Sequence, residues 1–179
     1  MMRALEPYEV RVVALPASQL DRLVVLSDAA HAAAAHPLVH ALAEQLAAGV
    51  DAAIRCEPGT DCEHERRRRL AAVALHHVQR YGPDPDPAGT DVLAAPLATI
   101  ARGRGDCASR AAVVLALDLA LGLSAHLVAL SRPCEPDDHI AVAVWLDDGW
   151  EWQDAMTTLP LGGVLTGIPC PLPTTAFIL

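Results

Sequence analysis

Residues 103–123 read GRGDCASRAAVVLALDLALGL, and their pattern decides the fold class. Gly103 to Gly105 makes a turn, Asp106 is suited to cap a helix, and Cys107 to Leu121 is an almost wholly apolar helical run. Gly122 stops it. The polar exceptions are Ser109, Arg110 and Asp118, so this is expected to be the central buried helix of a domain. Downstream, Ser124 to Leu130 reads as a strand, Arg132 to Asp138 as a loop and Ile140 to Leu146 as a second strand. Trp150 to Met156 is the strand returning from a hairpin, and the Pro-rich tail after Pro160 is expected to be mostly irregular.

Upstream, apolar runs at Val10 to Leu15 and Leu23 to Leu26, punctuated by Pro7 and Pro16, suggest one or two strands or an extended arm. Ser27-Asp28 offers a cap for a helix over Ala29 to Ala35. Pro37 opens another, in which Leu38, Ala41, Leu42 and Leu46 recur at helical spacing as far as Gly49. Arg55 to Asp61 is a loop, and Glu63 to Arg80 a strong helix with Leu70, Val73, Ala74, His77 and Val78 on its apolar stripe. Tyr81 to Gly89 is an extended connector, because its alternating prolines exclude both helix and central strand. Helices first, then a helix followed by at least three strands, gives an α+β domain with helices against an antiparallel sheet.

The chain has 179 residues, 53% of them hydrophobic and 20% charged, which suits a single folded domain and excludes a disordered one. Its net charge is −9, and all 13 basic residues are Arg. An acidic, aromatic-poor chain is a poor partner for nucleic acid. No stretch offers about 20 uninterrupted apolar residues, and Glu6, Glu9 and Arg11 break any signal-peptide core, so a cytoplasmic protein without a membrane partner is expected. Cysteines stand at 56, 62, 107, 134 and 170; the odd count leaves at least one thiol unpaired within the monomer, and free thiols are expected rather than a disulfide framework.

Cys107 opens the buried helix, where unpaired N–H groups and the positive end of the helix dipole favour thiolate over thiol. A nucleophilic cysteine needs a base, and the base a carboxylate to orient it. His139 and Asp154 are candidates, lying on the two arms of the hairpin. A turn at Asp147-Asp148 puts Asp154 opposite Ala141, one diagonal step from His139. A turn at Asp148-Gly149, the local preference, puts it farther away, opposite Ala143, and a three-residue loop puts the two on opposite faces.

GRGDC at 103–107, LGL at 121–123, DDHIAVAVW at 137–145 and GWEWQDA at 149–155 together resemble the transglutaminase-like superfamily of cysteine enzymes, its bacterial and prophage-encoded members in particular. The resemblance covers roughly Tyr81 to Met156 and implies a papain/transglutaminase-like core. It implies Cys107 as nucleophile, His139 as general base and acid, Asp154 as orienting carboxylate, a peptide or protein amide substrate, and no cofactor or metal. Hydrolysis is the implied outcome. Ala108 and Ser109 stand where family members often carry acidic residues, and Ala141 where an aromatic is common. On this view residues 1–179 form one domain: a mainly helical part over 1–80, the catalytic core over 81–156 and a Pro-rich tail over 157–179. With no Lys, the chain offers no side-chain amine for self-crosslinking.

Other clusters carry blander expectations. Cys56, Cys62 and His64 are metal-ligand types, but no second ligand pair follows at a recognised spacing. His36 and His40, like His76 and His77, are ordinary surface or core histidines on this reading. Arg66 to Arg69 is a solvated or salt-bridged helix face, and Asp106 a cap rather than an acid. Trp150 and Trp152 share a face with Asp154, where they either shield the His–Asp pair or pack as core. Cys134 and Cys170 have no assigned role. The competing expectation is a catalytically silent structural or adaptor protein of phage origin, with Cys107 inert.

Overall fold

The computed structural model describes residues 19–55, 62–84, 93–132, 135–147, 149–162 and 175–178. Five helices precede the strands: α1 (Gln19–Ala34), α2 (Pro37–Ala53), α3 (Cys62–Gln79), α4 (Pro96–Arg102) and α5 (Cys107–Ala120). The strands are β1 (Ser124–Arg132), β2 (Glu135–Leu146), β3 (Gly149–Gln153) and β4 (Thr175–Ile178). They form one sheet in the order β3-β2-β1-β4, antiparallel at every junction.

The core is built around α5, which is buried continuously from Ala108 to Asp118. It touches α1, α2, α3 and α4 as well as β1 and β2. Leu23, Leu26, Ala30 and Ala33 of α1 and Leu70, Ala74, Leu75 and Val78 of α3 are its helical neighbours in the core. The sheet supplies Leu127, Ala129, Ile140, Val142, Val144 and Leu146. Helix α5 ends where its sequence dictates. Gly122 takes φ 77°, its N–H bonds Leu119 O and the Leu123 N–H bonds Asp118 O, which is the paired closure of a Schellman motif.

Several expectations are corrected. Leu23 to Leu26 lies inside α1, because those leucines belong to a helical rather than an alternating series; Val10 to Leu15 lies outside the described residues. Helix α2 runs four residues past Gly49, since no left-handed cap forms there. Helix α4 was not expected at all. Strand β2 begins at Glu135, inside the supposed loop, and β3 ends at Gln153, so Asp154 follows the strand rather than lying on it. The Pro-rich tail includes a strand: β4 adds to the open edge of β1, with Ala129 opposite Phe177. Backbone pairing along an edge needs little from the sequence pattern, which is why composition concealed it.

Candidate functional site

Three local devices place the candidate residues. Asp106 caps α5, its carboxylate accepting from the Ser109 N–H at 2.8 Å, so Cys107 is the first helical residue. Among the described residues Cys107 is the free thiol, and it is partly buried. His139 stands opposite Leu130 at the end of the regular β1–β2 ladder; beyond it the register shifts, with Arg132 opposite Glu135. The hairpin register is fixed by Leu146 opposite Gly149 and Val142 opposite Gln153, leaving Asp147 and Asp148 between the paired strands. Continued by one residue, that register sets Asp154 beside Ala141, the diagonal arrangement that brings it to His139.

The side chains meet. His139 Nε2 lies 3.1 Å from Asp154 Oδ2, within ion-pair distance. The Cys107 sulfur lies near enough to the same ring to favour its charged form. Burial pulls the His139 ring toward its neutral form, but its interactions with Asp154 first and Cys107 second outweigh it and raise the pKa to about 9. At neutral pH the ring is therefore a cation between sulfur and carboxylate.

Asp154 is itself held firmly. Its Oδ1 accepts from the Met156 N–H at 2.9 Å in an Asx-turn, leaving Oδ2 toward the imidazole. Gln79, the last residue of α3, donates from Nε2 to Asp154 O at 3.1 Å and to Leu159 O at 2.8 Å. Gln153 donates from Nε2 to Ala71 O at 3.0 Å and lies 3.4 Å from Asp118 Oδ1, in surroundings that push the Asp118 carboxyl well above the usual range by burial. The sequence pointed to none of these supports. Two glutamines at the ends of a helix and a strand carry no motif; only their position after the last apolar repeat sets them apart.

The arginine run is salt-bridged. Arg66 pairs with Asp51 of α2, Arg67 with Asp147, Arg68 with Glu151 of β3 and Arg69 with Glu65. It thus ties α3 to the hairpin that carries Asp154, and each of the four cations has a carboxylate of its own. His36 caps α2 by accepting from the Leu38 N–H at 3.2 Å, and His77 packs edge-on against Tyr81. Trp150 is exposed and packs against Trp145 and His126, each at 5.3 Å between ring centroids. Trp145 is six residues from His139, about 20 Å along the strand, so Trp150 opposite it does not shield the His–Asp pair.

Cys62 is disulfide-bonded, contrary to the expectation of free thiols. Its sulfur is therefore no thiolate ligand. Cys56, Cys134 and Cys170 lie outside the described residues. Among the described residues no group of three or more His, Cys, Asp or Glu side chains is arranged to hold a metal ion, and no helix is long and apolar enough to cross a membrane.

No family model and no curated protein matches the chain. Solved structures do. A candidate protease from Parabacteroides distasonis superposes with a TM-score of 0.52 at 12% identity, over 78% of this chain and 26% of its own. A candidate cysteine protease from Cytophaga hutchinsonii gives 0.43 at 15% identity, over 84% of this chain and 46% of its own. The calcium-bound LapG of Legionella pneumophila gives 0.44 at 15% identity, over 75% and 83%. The chain shares the fold of the Parabacteroides distasonis protein. At these identities the likeness is one of fold, and the chain spans under half the length of the first two proteins.

Proposed function

We propose that the protein is a cysteine peptidase or amidase working through an acyl-enzyme, with Cys107 as nucleophile, His139 as general acid and base, and Asp154 as the orienting carboxylate. The observation that carries this is the raised His139 ring, held between the Asp154 carboxylate at 3.1 Å and the Cys107 sulfur at the start of α5. The reacting form is the ion pair in which the ring carries the proton and the sulfur has lost its own, leaving a nucleophilic thiolate. It forms a C–S bond to an amide carbonyl, and the resulting oxyanion faces the N-terminus of α5. The Ser109 and Arg110 N–H groups are already taken by Asp106, so the Cys107 and Ala108 N–H groups are the donors for it.

Collapse breaks the C–N bond as His139 gives its proton to the leaving amine. The now neutral ring takes a proton from water, whose oxygen bonds the acyl carbon as the C–S bond breaks and the thiolate returns. An amine from another molecule in place of that water gives crosslinking by the same steps. The triad does not distinguish them, and hydrolysis is the reading we adopt. Fold likeness to proteases supports a peptide or protein substrate.

The test is turnover of a quenched fluorogenic peptide library by the wild-type chain and by Cys107→Ala. Cleavage lost in the variant supports the proposal. Identical cleavage by both overturns it, as does a wild-type protein that neither cleaves nor acylates while remaining folded.

A further inference from the structure

Arg110 is buried, 5% exposed, on the turn of α5 directly after Cys107, and the proposed chemistry leaves it unused. Its Nε donates to Gly105 O at 2.8 Å and its Nη1 to Ala155 O at 3.3 Å. Gly105 stands two residues before Cys107, and Ala155 one after Asp154. One guanidinium therefore joins the turn that delivers the sulfur to the turn that delivers the carboxylate. These turns are 45 or more residues apart in sequence and belong to different elements.

The Gly105 end of this tie is closely seated. A Cβ at Gly105 would come within 3.0 Å of Thr99 Cγ2 and 3.1 Å of Ser109 Cβ, so the turn lies flush between α4 and α5 with its carbonyl turned to Arg110. Burying a guanidinium is expensive; burial pulls its pKa down, with Asp106 opposing. An apolar side chain would fill the same space without that cost. What it could not do is donate in two directions from a rigid planar fork.

We infer that Arg110 is a positioning residue: by clamping Gly105 O and Ala155 O it sets the separation between Cys107 and the His139–Asp154 pair. The inference rests on the catalytic role proposed for those three residues. It calls for a probe of their mutual geometry rather than of stability.

The test is the pH dependence of Cys107 alkylation by iodoacetamide on the full chain, followed by mass spectrometry, with chemical unfolding measured alongside. The set is wild type, His139→Ala, Arg110→Met, Arg110→Lys and Leu115→Ala. Leu115 is a buried residue of the same helix outside the clamp, so its variant reports a destabilised core alone. Arg110→Met is expected to slow alkylation at pH 5.5 by about tenfold or more, as misplacement of a reacting group does. Its rate should rejoin wild type at alkaline pH, where any thiol ionises. Arg110→Lys, reaching one carbonyl at most, should fall between, and Leu115→Ala should keep the wild-type profile.

A folded Arg110→Met with the wild-type profile overturns the inference, as does an equal loss in Leu115→Ala. If Arg110→Met does not fold, Arg110→Lys decides by the same criterion. A wild-type profile already insensitive to His139→Ala overturns the catalytic assignment itself. A His139-dependent profile that Arg110 variants leave unchanged overturns the clamp alone.

Discussion

Replacing Asp154 by Asn removes a charge while keeping the shape and the Oδ1 atom that accepts from the Met156 N–H. The His139 cation depends on that charge. A ring held at about 9 rather than 6.5 has its charged form favoured by about 3 kcal/mol, at about 1.4 kcal/mol per tenfold. Burial works against the cation, and of the groups that favour it Asp154 contributes first and Cys107 second. With Asn at 154 the burial remains and the larger favourable contribution goes. The His139 midpoint should then fall by at least about one pH unit, which an NMR titration of the imidazole C–H resonances reads directly.

Stability carries the same signature. The folded ring's pKa is raised, so its stabilisation is fully present below pH 6.5 and is lost as pH rises through about 9. Wild-type urea stability should drop by up to about 3 kcal/mol from this group across that window, and the Asn variant by much less. The gap between the two proteins should be widest near pH 6 and narrow above pH 9. An unchanged His139 midpoint in the variant, or a gap of constant size from pH 6 to 9.5, would refute the reasoning.

Asp118→Asn should stabilise the protein at neutral pH, because a buried carboxyl raised well above its usual range resists ionising while its unfolded counterpart is charged; urea titrations at pH 5 and 8 should show the gain growing with pH. Leu115→Ala should cost about 2–5 kcal/mol by the same assay, since the side chain is wholly buried in α5. Arg66→Ala, which breaks an exposed pair with Asp51, should leave the urea midpoint almost unchanged, and any small loss should shrink in high salt.

The legible parts of the chain were those with a strong local cause. The apolar run after Asp106, closed by Gly122, could be little else than a buried capped helix, and it fell where expected. The hairpin was legible as a hairpin, but its register was not. Gly149 argued for a turn at Asp148-Gly149, whereas Leu146 pairs with Gly149. Packing of α3 decides between them: Arg67 and His64 both engage Asp147, and Arg68 engages Glu151. Those contacts span some 80 residues of sequence, beyond any local pattern.

Helix α4 could have been found. Pro96 at its first turn and Gly103 at φ 61° after its end are ordinary helix punctuation, obscured by the brevity of the helix. The residues that steady the site were hidden for a different reason. Gln79, Gln153 and Arg110 act on backbone carbonyls, and any residue supplies a carbonyl, so their partners leave no trace in the sequence.

The alkylation of Cys107 by iodoacetamide at pH 5.5, compared between the folded wild-type chain, the urea-unfolded chain and folded His139→Ala, tests the central claim most directly. A thiolate held by the His139 cation should react at least about tenfold faster in the folded wild type than in either comparison. Equal rates in all three would mean that the sulfur, ring and carboxylate stand together without forming a catalytic unit.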